Sequence, residues 1–102
     1  MHFDCTIDRR AGAVLVTPFG EIDRDTAPYL RQRLAEAVGL AGTGLVDVDL
    51  RHVMFMDSSG IGALLAAHRL AGESGAALRI RDPSPTVRTV LELTNVWDLL
   101  GA

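Results

Sequence analysis

The sequence contains no lysine, and its ten basic residues are all arginines, spread from Arg9 to Arg88 without a basic run. Aromatic residues are also few, at 5% of the chain. A surface that binds nucleic acid usually combines a basic stripe with aromatic side chains that stack on the bases. Because the formal net charge is also negative, at −3, the sequence gives no support for a nucleic-acid partner.

Cysteine and long apolar segments are equally scarce. Cys5 is the only cysteine, so the chain cannot form an intramolecular disulfide. No apolar run approaches the ~20 residues of a membrane-spanning helix, and Met1 to Arg10 lacks the apolar stretch of a secretory signal. We therefore expect a cytoplasmic protein without membrane insertion. Its 102 residues, 48% of them hydrophobic, predict a single domain over residues 1–102.

Apolar and alternating segments predict at least four β-strands. The first two form a hairpin, in which the polar segment Arg9–Gly12 is the turn. The predicted strands are His2–Ile7, Ala13–Phe19, Leu45–Leu50 and Ala76–Ile80. A further apolar, strand-like stretch, Val53–Met56, leads directly into Asp57.

Three segments have apolar residues at helical spacing. They begin at Asp25 or Thr26, at Ser59, and at Ser84, and the first two end within the glycine-containing segments 39–44 and 72–75. Asp25 or Thr26 can cap the first helix, and Ser84 can cap the third. The order β-β-α-β-α-β-α predicts an α/β fold with a mixed four- to five-stranded sheet and helices packed on it.

The third predicted strand alternates between apolar and acidic residues. Its members face two ways: Val46, Val48 and Leu50 to one side, Asp47 and Asp49 to the other. Two arrangements follow. Either the acidic face is open to solvent, or both faces are covered and one aspartate lies close to the functional loop.

The segment Met56–Gly62 joins a strand-like run to a helical one. A helix start needs one capping side chain, and here Asp57, Ser58 and Ser59 stand in a row. In a structural interpretation, Ser58 or Ser59 is the cap and the glycines allow close packing. In a functional one, a serine that is not needed as the cap accepts a phosphate near free amides and the positive end of the helix dipole.

A phosphate at this turn would add about −1.5 to −2 charges beside Asp57. A partner surface matched to the serine hydroxyl would then meet steric bulk, a desolvation cost and, if it is acidic, repulsion. We therefore expect phosphorylation to release a partner without unfolding the domain.

The segment Phe55–Gly62 resembles the signature of the STAS domain, specifically that of the bacterial anti-sigma factor antagonists. The similarity runs through most of the chain. Gly20–Asp23 and Thr26–Ala27 resemble the segment around the start of the family's first helix, Val48–Leu50 its central strand, and Ser84–Pro85 the start of its third helix. The resemblance implies the STAS fold and a binding protein rather than an enzyme.

In that family, the serine directly after the aspartate is phosphorylated by a partner that is both an anti-sigma factor and a serine kinase. The resemblance therefore implies that Ser58 is the acceptor, with Ser59, in the same turn, as the alternative. The implied partner-binding residues are Asp23, Asp57, Ser58, Ser59, Gly60 and Ile61. The unphosphorylated form would capture the anti-sigma factor and free the sigma factor, and a protein phosphatase would reset the switch.

Members of this family usually continue past the third helix into an edge strand and a C-terminal helix. This chain stops at Ala102, and we expect Val96–Leu100 to supply a short remnant of that strand. Trp97, within this segment, is either a core or edge-sealing residue or a partner contact. The sequence leaves the oligomeric state open.

Two other functions fit parts of the pattern. A serine hydrolase would use Ser58 or Ser59 as its nucleophile, but Asp57 stands where a Gly-x-Ser-x-Gly elbow needs glycine. His52 and His68 are more typical of structural or surface positions than of a catalytic base. A stand-alone STAS subunit of a transport or sensory complex would keep the fold without needing a phosphorylated serine.

Metal and cofactor sites have weak support. Asp47, Asp49 and Asp57 could supply oxygen ligands, but their spacing matches no known metal-binding loop. Gly60 and Gly62 alone do not form a nucleotide-binding fingerprint. We therefore expect neither a metal nor a cofactor.

Overall fold

The computed structural model describes residues 3–101 and confirms the predicted α/β fold with a five-stranded mixed sheet. Its elements are β1 (Asp4–Arg10), β2 (Ala13–Ile22), α1 (Ala27–Ala41), β3 (Leu45–Asp49), β4 (Val53–Met56), α2 (Ser58–Glu73), β5 (Ala77–Arg81), α3 (Pro85–Leu93) and α4 (Val96–Leu100). The observed order has one more strand, β4, and one more helix, α4, than the predicted order. His2, the predicted start of the first strand, lies outside the described residues.

Strand β2 has partners along both of its edges. β1 pairs with it in antiparallel register along Ala13–Phe19, which confirms the predicted hairpin, although Arg9 and Arg10, expected in its turn, belong to β1. On the other edge, β3 pairs in parallel with Ala13–Val16, and β4 pairs in parallel with Gly20–Ile22. β5 pairs in parallel with β3. The loop between β3 and β4 stays on this edge, because Gly20 N–H donates to the His52 carbonyl at 3.1 Å.

The apolar core lies between the sheet and the helices α1 and α2. Val46 and Val48 of β3 are fully buried, as their alternation predicts. The predicted apolar positions of the two helices that are buried are Ala27, Leu30, Leu34, Val38, Ile61 and Leu64. Leu65 and His68, predicted on the same face of α2, are only partly buried. Removing this apolar surface from water is the main stabilising term of the fold.

Arginines surround the two aspartates of β3. Asp47 pairs with Arg79 at 3.2 Å and with Arg81 at 3.1 Å, both on β5. Asp49 is only 6% exposed, and it accepts hydrogen bonds from the backbone N–H and the side chain of Arg51 at 3.1 and 3.2 Å. Neither predicted arrangement holds in full: the acidic face is covered by arginines rather than open to solvent, and the loop beside Asp49 is the one between β3 and β4, not the functional loop.

Helix α1 continues through Gly39, the first glycine of the segment expected to end it, as far as Ala41. It ends at Gly42, whose φ of +61° is a conformation that L side chains rarely adopt. Within residues 3–101, no helix has both the length and the apolar character that crossing a membrane requires.

The expected strand at Val96–Leu100 is wrong, because these residues form the short helix α4. Asn95, with a φ of +62°, turns the chain after α3, and the new helical turn buries two apolar residues against the core. Gly101 then forms an isolated parallel bridge to Ile80 of β5.

Two predictions for the C-terminal part agree with the structure. Ser84 caps α3, since its side-chain oxygen accepts a hydrogen bond from Val87 N–H at 3.4 Å. Trp97 is partly buried and packs against the core, and the Arg88 guanidinium lies 4.2 Å from the centre of its ring. Trp97 therefore occupies the core or edge-sealing position.

Cys5 gives a test of core burial. It is 1% exposed, and burial raises the pKa of its thiol from 9.0 to about 11, although the Arg33 guanidinium opposes this rise. Since the folded state holds the thiol neutral and the unfolded state lets it ionise, we predict that the free energy of unfolding falls as the pH rises from about 9 to 11. At about pH 8.5, the native thiol should react with iodoacetamide far more slowly than the denatured thiol. Equal alkylation rates by mass spectrometry would contradict this.

Gly60 gives a test of how closely α2 approaches the sheet. A Cβ at this position would lie 2.6 Å from Met56 Cγ and 2.8 Å from Ile22 Cγ2. We predict that Gly60→Ala lowers the free energy of unfolding in urea by about 1–3 kcal/mol, because the core would be overpacked. Gly62→Ala is the control, since its Cβ would meet only the flexible end of Arg31, at 3.3 Å. Gly62→Ala should leave the free energy of unfolding unchanged or raise it by up to about 1 kcal/mol. If both variants lose the same free energy of unfolding, α2 does not approach the sheet closely at Gly60.

Candidate functional site

Asp57 occupies the junction between β4 and α2 and is the N-cap of the helix. Its carboxylate oxygen Oδ1 accepts a hydrogen bond from Ser59 N–H at 2.8 Å. Its backbone carbonyl accepts from Gly60 N–H at 3.1 Å and from Ile61 N–H at 3.3 Å. Its own N–H donates to the Ile22 carbonyl at 3.2 Å, which fixes the junction to the end of β2.

The two serines are therefore the first two residues of α2, and the interpretation in which Ser58 or Ser59 caps the helix is wrong. Ser58 is exposed and Ser59 is half-buried. In the described part of the chain, the capping hydrogen bond uses the backbone of Ser59, and neither serine hydroxyl has a hydrogen-bond partner. Ser58 thus presents a free hydroxyl to solvent at the start of a helix.

Few backbone amides are left free at this helix start. An α-helix normally begins with four N–H groups that lack partners within the helix. Here, of the amides of residues 57–60, the Asp57 N–H donates to the Ile22 carbonyl, the Ser59 N–H to the Asp57 carboxylate and the Gly60 N–H to the Asp57 carbonyl. The expectation that a phosphate would lie near free amides is therefore only partly met, because three of these four amides already have partners within the described residues.

Gly60 and Ile61, two of the predicted partner-binding residues, lie on the inner side of α2. Ile61 is 7% exposed and belongs to the core. Gly60 is buried, with the side chains of Ile22 and Met56 directly above its Cα. These two residues hold the start of α2 against the sheet, and their side-chain positions offer little surface to a partner.

Asp23 lies beside the Asp57 junction, because it follows Ile22 directly in the chain. Its carboxylate oxygen Oδ1 accepts hydrogen bonds from the N–H groups of Asp25, at 2.9 Å, and Thr26, at 3.1 Å. The Thr26 hydroxyl donates to the Glu21 carbonyl at 2.9 Å and forms no capping bond to α1. The expectation that Asp25 or Thr26 supplies the capping side chain is wrong. In this turn, the Asp23 carboxylate accepts hydrogen bonds from two backbone N–H groups instead.

Exposed apolar side chains lie close to this site in the sheet, and the sequence pattern did not single them out. Met54 and Phe55 of β4 are 73% and 44% exposed. Phe19 of β2 is 38% exposed and stacks on His52, with ring centroids 4.8 Å apart. The sequence gives one signal for them: Met54 and Phe55 lie side by side in a four-residue apolar strand, and since only one of two neighbouring strand residues can face the core, one of them is expected to be exposed.

The geometry does not assemble a hydrolase site. His68 is ten residues after Ser58 on the same helix, which at 1.5 Å per residue places them about 15 Å apart along its axis. His52 stacks on Phe19. Within residues 3–101, Ser58 and Ser59 have no hydrogen-bonded histidine, and the arginine-paired Asp47 and Asp49 are not part of the Asp57 junction.

The chain is similar to anti-sigma factor antagonists along almost its whole length. It is 25% identical over 100 residues to the anti-sigma F factor antagonist of Paenibacillus polymyxa, covering 98% of this chain and 86% of that protein. It is 27% identical over 101 residues to the anti-sigma-B factor antagonist of Bacillus subtilis (strain 168), covering 98% and 90%.

A solved structure shows the same architecture. The anti-sigma factor antagonist SpoIIAA in its unphosphorylated form superposes with a TM-score of 0.80 at 25% sequence identity. The match covers 95% of this chain and 85% of that chain. Residues 5–101 of the present sequence also match the protein family described as "Mlab, STAS domain". The predicted resemblance is thereby confirmed, and the chain belongs to the STAS domain family.

Proposed function

We propose that this protein is an anti-sigma factor antagonist whose binding to its partner is controlled by phosphorylation of Ser58. The observation that carries the proposal is the Asp57 cap, because it leaves an exposed serine hydroxyl with no structural duty in the first turn of α2. The similarity to proteins named as antagonists of anti-sigma factors supports the choice of partner.

In the unphosphorylated state, the partner is an anti-sigma factor that is also a serine kinase. It binds over the start of α2, around Ser58, Ser59 and the neighbouring turns of Asp23 and Asp57. Because the anti-sigma factor is then bound to the antagonist, it no longer holds the sigma factor. The protein acts here as a binding module and as a kinase substrate, rather than as an enzyme.

Phosphoryl transfer then ends the interaction. The Ser58 oxygen forms a bond to the γ-phosphorus of ATP held by the kinase, the bond to ADP breaks, and the hydroxyl proton passes to the kinase. The product carries about −1.5 to −2 additional charges next to Asp57. The partner surface that fitted a small neutral hydroxyl is now opposed by bulk and charge, so the complex dissociates. Hydrolysis by a protein phosphatase restores the hydroxyl.

The fold is expected to tolerate this change. The hydrogen bonds that start α2 belong to Asp57, so a phosphate on Ser58 removes none of them. Negative charge at a helix N-terminus also interacts favourably with the helix dipole, typically by about 0.3–1 kcal/mol at exposed positions. Ser59 is the weaker candidate acceptor, because its side chain is half-buried.

The acceptor can be identified in the protein's own cells, grown with and without stress. Peptide mass spectrometry should find a condition-dependent phosphate on Ser58 in the wild type and in Ser59→Ala, and none in Ser58→Ala. Phosphate that persists in Ser58→Ala would move the site to another residue. A chain never phosphorylated in any condition would favour the STAS subunit of a transport or sensory complex.

The effect on the partner can be measured with the serine kinase that co-purifies with the wild type. We predict that Ser58→Asp weakens binding at least about tenfold, which is about 1.4 kcal/mol, because it places a charge where the partner meets a hydroxyl. Ser74→Asp, which introduces the same charge at an exposed position at the other end of α2, serves as the control and should bind within about twofold of wild type. Equal affinities of wild type and Ser58→Asp by calorimetry would end the switch hypothesis.

The cap itself can be tested by comparing two substitutions of Asp57. Asp57→Ala removes the acceptor of the Ser59 N–H and should lower the free energy of unfolding by about 0.5–2 kcal/mol. Asp57→Asn keeps an acceptor oxygen and should lose clearly less. If urea denaturation gives the same loss for both variants, the carboxylate stabilises the helix start through its charge and not through the hydrogen bond.

A further inference from the structure

Arg31, on α1, extends its side chain across to α2. Its terminal nitrogen Nη2 lies 3.3 Å from the position that a Cβ on Gly62 would occupy, and apart from the neighbouring backbone of α2 itself, no other group of residues 3–101 lies within 4 Å of that position. The guanidinium therefore rests on the surface of α2 in the place that a side chain of residue 62 would fill. A larger residue at position 62 would compete with it for this space.

Gly62 is one helical turn beyond both serines of the site. Residues three and four apart on a helix are surface neighbours, with Cβ atoms about 5–6 Å apart. Ser59 and Ser58 stand in these relations to Gly62. Since Cα–Cβ bonds tilt toward the helix N-terminus, the space above Gly62 opens toward the serines. The Arg31 guanidinium is thus within reach of a phosphate on Ser58.

The charge of Arg31 is uncommitted. Within residues 3–101, no carboxylate oxygen lies within 4.0 Å of its guanidinium, and its side chain donates no hydrogen bond. Most arginines elsewhere in the fold are engaged; the ion-paired ones are Arg10, Arg33, Arg51, Arg79, Arg81 and Arg88. An exposed, unpaired guanidinium can bind an anion without breaking an existing ion pair.

A phosphate on Ser58 would need such a cation. It would stand beside the carboxylate of Asp57, with the Asp23 carboxylate in the neighbouring turn. Two of the amides that could otherwise offset its charge, those of Ser59 and Gly60, are already bound to Asp57. Arginine is well suited to the task, because its planar guanidinium can donate two parallel hydrogen bonds to phosphate oxygens.

We infer that Arg31 binds the phosphate of phosphorylated Ser58 within the same chain and holds it over the first turn of α2. This inference rests on the proposed phosphorylation of Ser58. Arg31 is then a positioning residue of the switch. It fixes the phosphate where it blocks the partner, and it limits the repulsion between the phosphate and Asp57.

The test uses the full chain with phosphoserine incorporated at position 58 during synthesis, so that no kinase is required. The readout is the second ionisation of the phosphate, followed by phosphorus NMR across its ordinary pKa near 6. A bound guanidinium favours the dianion, so Arg31→Gln should raise this pKa by about half a pH unit. Arg69→Gln is the control, because Arg69 is exposed on α2, about 16 Å along the helix from Ser58, and it should leave the pKa unchanged.

A second variant keeps every charge. Gly62→Leu fills the space where the guanidinium rests, and it should raise the phosphate pKa in the same direction as Arg31→Gln. If neither variant moves the pKa, or if only Arg24→Gln in the turn before α1 moves it, Arg31 does not hold the phosphate. Either result would leave the proposed function intact, whereas failure to detect phosphorylated Ser58 in cells would refute the proposed function and not the contact.

Discussion

The hydrogen bonds of Asp57 are the constraint on which the rest of the site depends. Through its N–H, this residue joins the end of β2, and through its carbonyl and carboxylate it begins α2. Of the four amides that a helix start leaves without partners, Asp57 thereby binds two, those of Ser59 and Gly60, and its own N–H is bound by the Ile22 carbonyl. Because the cap fixes where α2 begins, it also makes Ser58 the first helical residue and leaves its hydroxyl unused.

Close packing makes this helix start rigid as well as defined. Gly60 has no side chain, so α2 approaches Ile22 and Met56 more closely than any other residue type would allow. Ile61, next to it, is buried in the core. A helix held in this way cannot move aside to relieve a phosphate at Ser58. If Ser58 is phosphorylated as proposed, the consequence falls on the bound partner and on the side chains around the phosphate.

Local sequence signals predicted the elements, and tertiary contacts decided what they missed. The MDSSGIG segment and Ser84 mark helix starts because capping depends on residues close in sequence. The hydrogen bonds that Asp23 accepts in the turn before α1, in contrast, depend on where β2 ends. Gly39 stays helical and Val96–Leu100 turns into α4, because packing overrides intrinsic propensity. The contact between Arg31 and Gly62 joins two helices, and no spacing within one sequence segment encodes it.

The size of the electrostatic effect limits how the proposed switch can work. Two unit charges 4 Å apart interact by only about 1 kcal/mol in water, whereas turning a complex from 99% bound to 99% free takes about 5.5 kcal/mol. Repulsion at an open surface is therefore too weak to release the partner. The partner must enclose Ser58 in a contact that excludes water, where an added charge costs much more. An exposed apolar side chain such as that of Phe55, two residues before Asp57, supplies apolar surface that can close such a contact.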